Sequence, residues 1–170
     1  GDFDNDNDID IFACNILLMN DGTGNFSFEE NLGASLQINY GNPMSSLLVD
    51  LNNDSFDDLV FWNFDNRHEN FTEEGFAYLS NGTSDINNWI LVELPDGPFG
   101  INHNKFNHAA YGDLNNDGNQ DIVVSVTRDN PYYEGAYIQV LLGDGHGNLI
   151  DVTSTNFADQ PRERNHHGEG

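Results

Sequence analysis

The strongest constraint on this chain is one pattern used three times. In "GDLNNDGNQDIVV", Asp113, Asn115, Asp117, Asn119 and Asp121 fall on alternate positions, and Ile122-Val123-Val124 follows at once. "GDFDNDNDIDIF" sets Asp2, Asp4, Asp6, Asp8 and Asp10 in the same frame, and "VDLNNDSFDDLVF" sets Asp50, Asn52, Asp54 and Asp58 there. Alternation alone suits the exposed face of a strand. Asn116-Asp117-Gly118-Asn119, however, is turn chemistry, and Gly118 permits the positive φ of a sharp reversal. A loop that curls about a centre and points an oxygen inward at every second residue suits Ca²⁺, a hard cation that takes about six to eight oxygens. A polar turn between strands explains one such copy. Three copies in register favour the cation.

The surroundings of the loops repeat as well. Each gives way to a β-rich run: Ile9 to Ala13, Leu59 to Phe64, Ile122 to Thr127. "ILLMNDGTGNFSF" (16–28) matches "QVLLGDGHGNLID" (139–151), and the Asp-Gly-x-Gly-Asn centre is a hairpin signal. "FAYLSNGTSDINNWILVEL" (76–94) is a looser version. "MSSLLVD" (44–50) and "HAAYGD" (108–113) lead into the second and third loops. One unit therefore reads as lead-in strand, acidic loop, strand and hairpin. Four antiparallel strands at this period are expected to form propeller blades. No helical periodicity longer than two turns interrupts them.

The loop inside a four-stranded repeat resembles the FG-GAP/VCBS repeat of integrin α-subunit propellers and many bacterial surface proteins. The resemblance covers the whole chain as three units, about 1–48, 49–111 and 112–170. It implies up to three Ca²⁺ ions, each held by side chains at motif positions one, three, five and nine and by the carbonyl at seven. Those positions are Asp2, Asp4, Asp6, Asp8 and Asp10 in the first loop, and Asp50, Asn52, Asp54, Phe56 and Asp58 in the second. In the third they are Asp113, Asn115, Asp117, Asn119 and Asp121. Gly118 stands at position six of the third loop, where the first has Asn7 and the second Ser55. On that ground the third loop is expected to hold its ion most tightly.

Charge narrows the partners. With 5 Lys+Arg against 29 Asp+Glu, the formal charge is −24, which argues against nucleic acid and anionic membranes. No apolar run is long enough to span a bilayer. The lone Cys14 makes no disulfide framework and reads as a core residue. Sequons place possible glycosylation at Asn25, Asn70 and Asn81. Trp62 and Trp89 read as core between blades, and Tyr132-Tyr133 as a contact surface. His166-His167 are adjacent, so on a strand they would point to opposite faces rather than share a metal. Glu29-Glu30 and Glu73-Glu74 read as exposed pairs. No nucleophile motif, P-loop or dinucleotide fingerprint is present.

The expectation is thus an all-β, propeller-like chain of three four-stranded blades, part of a larger ring or assembly. Its expected role is adhesion, surface attachment or self-assembly outside the cell, with structural Ca²⁺ and no catalysis. The partner would be a protein or glycan at the cell surface, or copies of the chain itself. The alternative is part of a carbohydrate-active enzyme such as a propeller polysaccharide lyase. "NHHGEG" (165–170) lines up with "NHAAYG" (107–112). That segment is expected to complete a blade beginning at Asp2, within a ring or between copies.

Overall fold

The computed structural model describes residues 1–13, 16–29, 42–64, 75–82, 86–99, 104–128 and 134–156. They form three antiparallel sheets. The first holds β1 (Ile11–Ala13), β2 (Ile16–Asn20) and β3 (Phe26–Glu29), in chain order. The second holds β4 (Asn42–Val49), β5 (Asp58–Phe64), β6 (Gly75–Leu79) and β7 (Ile90–Glu93), also in order. The third holds β8 (Asn104–Gly112), β9 (Asp121–Arg128), β10 (Glu134–Gly143) and β11 (Leu149–Asp151). A 3₁₀ turn (Ile86–Asn88) precedes β7, and one helical turn, α1 (Thr153–Asn156), follows β11. Among the described residues, no helix is long and apolar enough to cross a membrane.

The fold is all-β as expected, and two sheets have four strands. The first differs: β1 pairs with β2 alone among the described residues, so this sheet has three. The second and third loops follow β4 and β8, each of which pairs with the strand after its loop.

Side-chain alternation decides how the sheets stack. Along β5, Leu59 and Phe61 point one way and join Phe3, Leu17, Leu48, Tyr78 and Trp89 in a core between the first two sheets. Val60 and Trp62 point the other way and join Phe106, Ile122, Val124 and Leu141 between the second and third. The middle sheet is therefore apolar on both faces, and the opening "DLVFW" of its strand β5 is buried throughout. Both tryptophans are core residues: Trp89 stacks on Phe3 at 5.0 Å, and Trp62 meets Phe106 at 6.0 Å. Because consecutive sheets share a core, the three acidic loops are carried on one framework.

Candidate metal centre

All three loops are built by the same hydrogen bonds. The carboxylate at position one accepts two successive backbone N–H groups, which curls the chain about it. Asp2 takes those of Asp6 and Asn7 at 3.1 and 3.0 Å. Asp50 takes those of Asp54 and Ser55 at 3.2 and 2.9 Å. Asp113 takes those of Asp117 and Gly118 at 3.1 and 3.0 Å. The position-five carboxylates of Asp6, Asp54 and Asp117 then accept the N–H two residues on, at 2.8–2.9 Å.

This winding needs left-handed backbone at two positions. Position six has φ of 72° at Asn7, 74° at Ser55 and 89° at Gly118. Ser55 thus adopts the conformation its glycine counterpart takes freely. Position four has φ of 60° at Asn5, 59° at Asn53 and 61° at Asn116. The sequence marks Asn116 as part of a turn, and Asn5 and Asn53 take the same place in their loops. Their identity was the available signal, since Asn tolerates the left-handed region better than most residues.

Position nine does different work. Asp10, Asp58 and Asp121 are buried. One oxygen of each accepts the N–H of position two: Phe3 at 2.7 Å, Leu51 at 2.8 Å, Leu114 at 2.8 Å. The other accepts an N–H at the end of the next-but-one strand: Asn20 at 2.9 Å, Ser80 at 2.7 Å, Gly143 at 2.9 Å. Each carboxylate therefore clamps its loop to the hairpin. Burial pushes the Asp58 carboxyl up to about 7 against the two N–H groups that favour its charge.

The loops differ in how their remaining oxygens are used. In the second, the Ser80 hydroxyl donates to both Asp54 oxygens at 3.0 and 2.8 Å, and the Asn52 amide donates to the Ser80 carbonyl at 3.1 Å. In the third, the Asn115 amide donates to Asp117 at 2.8 Å. With the Asn119 N–H, this holds the Asp117 carboxyl below its ordinary range. In the first, acid replaces amide at position three. Oxygens of Asp2, Asp4 and Asp10 converge within 4.8 Å of one another, and Asp4 Oδ1 is buried with no hydrogen-bond partner. Burial, then the charges of Asp6, Asp10 and Asp2, raise the Asp4 carboxyl.

These donors fit Ca²⁺. Oxygens bound at about 2.3–2.6 Å from one ion lie within roughly 5 Å of each other. A divalent cation would also satisfy the orphaned Asp4 oxygen and offset the crowded charge. Asp8, Phe56 and Asn119 occupy position seven of their loops, where the resemblance assigns a carbonyl.

Neighbouring units are tied at this rim. Asp57 accepts the N–H of Asp2 at 2.7 Å. The Asn53 amide donates to Asn119 at 3.1 Å, and the Gly147 N–H to the Leu51 carbonyl at 3.1 Å. The sequons at Asn25 and Asn81 are exposed. The Asn25 amide is engaged, donating to Thr23 at 2.7 Å and Asp21 at 3.2 Å. Asn70, Cys14, Glu30, Glu73-Glu74, Tyr132-Tyr133 and His166-His167 lie outside the described residues.

A family model described as an FG-GAP-like repeat matches residues 2–61. Residues 2–61 are thus similar to an FG-GAP-like repeat. The match takes in the first loop, the first sheet, β4, the second loop and the opening of β5. The third loop lies beyond the FG-GAP-like match yet repeats its hydrogen bonds donor for donor. No curated protein and no solved structure matched the chain.

Proposed function

We propose that the chain is a calcium-stabilised, β-propeller-type binding module of an extracellular or cell-surface protein. Its partner would be a protein, a glycan or another copy, and it would carry no catalytic centre. The observation that supports this reading best is the first loop. Three carboxylates converge there on a point where one buried oxygen has no partner. The second and third loops have the same winding with amides at position three. Affinity rises with ligand charge, so the first loop should bind most tightly, ahead of the third.

Calcium modules outside cells bind at about 10⁻⁴–10⁻³ M. At about 1 mM Ca²⁺ each site then adds roughly 0.4–1.4 kcal/mol by mass action. The reading is tested by melting the chain in Ca²⁺, Mg²⁺ and chelator, with calorimetric titration of Ca²⁺. Stabilisation by Ca²⁺ is expected, and Asp4→Asn should lower the first loop's share toward that of the other two. A melting curve indifferent to chelation would sink it. A binding role without catalysis agrees with the site chemistry. Among the described residues, the acids at positions one, five and nine of the loops are committed to winding and clamping. Assays on neutral and anionic polysaccharides should give binding at most, and turnover would refute the non-catalytic reading.

A further inference from the structure

The second and third loops share a side-chain hydrogen bond. Asn53 stands at position four of the second loop, with φ of 59°. Its amide donates to the side-chain oxygen of Asn119, position seven of the third loop, at 3.1 Å. Each end belongs to the winding of its own loop. The Asn119 N–H donates to Asp117 at 2.8 Å, and the Asp117 N–H donates to Asp113 at 3.1 Å. Asn53 lies between Asn52 and Asp54, and the Asp54 N–H donates to Asn52 at 3.0 Å and to Asp50 at 3.2 Å. The bond between Asn53 and Asn119 therefore requires both loops to be wound at once.

The hairpin turn of the third unit covers this junction. A Cβ at Gly145 would collide with Asn119 Oδ1 and stand 2.6 Å from Asn53 Nδ2. Gly145 has φ of 72°, so glycine supplies both the turn and the room for the pair. The same turn touches the second loop again, where the Gly147 N–H donates to the Leu51 carbonyl at 3.1 Å. At its base the Gly143 N–H donates to Asp121 of the third loop at 2.9 Å. The loops are thus joined directly and also through the turn. Gly82, the corresponding glycine of the second unit, has φ of 79° and nothing within 4 Å of its Cβ position.

Asn53, Asp113 and Asp117 are exposed, and exposed loop backbone opens at low cost. Closing the third loop orders Asn119 and, through it, Asn53. The second loop then has less disorder to lose on binding a cation, which raises its affinity, and linkage makes the effect reciprocal. Charge works against this, since a cation at one loop weakens the pull of the other. At about 0.15 M salt that part is screened beyond about 8 Å, whereas the hydrogen bond acts at contact. Resting on the calcium reading above, we propose that the second and third loops bind Ca²⁺ as a positively coupled pair. Asn53, Asn119 and Gly145 form the coupling element.

Nitrogen-edited NMR of the 170-residue chain reads the loops separately, through the Ser55 amide in the second and the Gly118 amide in the third. Both are followed while Ca²⁺ is added in about 0.15 M salt. Disabling the third loop with Asp117→Ala should raise the Ca²⁺ midpoint at Ser55 by roughly two- to ten-fold, the worth of one net hydrogen bond. Asn119→Ala removes the acceptor and keeps the backbone, and in that background Asp117→Ala should leave the Ser55 midpoint in place. Asn53→Asp tolerates positive φ but loses the donor, and should uncouple the loops in the same way. Asn119→Asp keeps an acceptor oxygen and should retain the coupling. Asp8, its counterpart in the first loop, packs against Gly22 as Asn119 does against Gly145. Gly145→Ala should uncouple the loops, and Gly82→Ala should not. A Ser55 midpoint indifferent to Asp117→Ala, or a shift that survives both Asn119→Ala and Asn53→Asp, overturns the coupling alone. Amides in both loops that ignore Ca²⁺ altogether overturn the calcium reading with it.

Discussion

Replacing Asp121 by alanine separates the architectural use of the loop acids from their use as ligands. Asp121 accepts two backbone N–H groups, from Leu114 at 2.8 Å and Gly143 at 2.9 Å, and is fully buried. Alanine leaves the Gly143 donor buried and unpaired, which costs about 1–3 kcal/mol. The Leu114 donor sits nearer solvent and can turn to water, so its loss adds about 1 kcal/mol. The sum is roughly 2–4 kcal/mol with no metal present. For a chain of this size each kcal/mol moves the melting temperature by about 2–4 °C. The expected drop is therefore roughly 4–16 °C in chelator. Asp117→Ala is the control. Asp117 is exposed, and its partners Asn115 and Asn119 can bond to water, so its loss should move the melting temperature in chelator far less than that of Asp121. In Ca²⁺ both variants should lose the third loop's share of the metal-dependent increment. Differential scanning fluorimetry in the two buffers gives all four numbers. Equal melting of parent and Asp121→Ala in chelator would refute the clamp.

Further outcomes can be checked on the same chain. Asp58 is raised from 3.8 to about 7 in the fold, so the folded state holds a proton that the unfolded state releases. Its contribution is complete below about 4 and is lost as pH climbs through about 7. Urea melts in chelator should show lower stability at pH 8 than at pH 5, with a flatter slope in Asp58→Asn, and an unchanged slope would contradict this. Gly147 has φ of 86°, and a Cβ there would meet the Leu79 side chain at 2.2 Å. Gly147→Ala should lose about 1–3 kcal/mol. Gly24→Ala, also at positive φ but with open space around its Cβ position, should lose about 1 kcal/mol. Denaturant midpoints that place the two alike would exclude the packing argument.

The loops were legible because their chemistry is local. Alternating oxygens, turn-forming asparagines and an apolar run within thirteen residues name both the curl and the strand that follows. Hairpin turns fixed strand order for the same reason. Asp21 shows why the turn motif is so readable. It accepts from the Thr23 N–H, the Thr23 hydroxyl and the Asn25 amide, and these hold its carboxyl down at about 2. The clamps were hidden because the partners of Asp10, Asp58 and Asp121 are backbone N–H groups, which leave no mark in sequence. Tertiary stacking was half visible. Trp62 and Trp89 read as core, but nothing in sequence told which sheet face each would fill.

The ties at the rim have a mechanical meaning. Asp57 to Asp2, Asn53 to Asn119 and Leu51 to Gly147 join loop to loop or loop to turn, while apolar side chains hold the sheets face to face. The sheets resemble pages bound along one margin. A load that fans them apart must first break directional bonds at the binding, whereas one that presses them together meets only close-packed carbon. The acidic rim is then a stiff margin of the molecule, and the Gln139 amide, donating to the Asp96 carbonyl at 2.9 Å, adds a directional tie away from the loops.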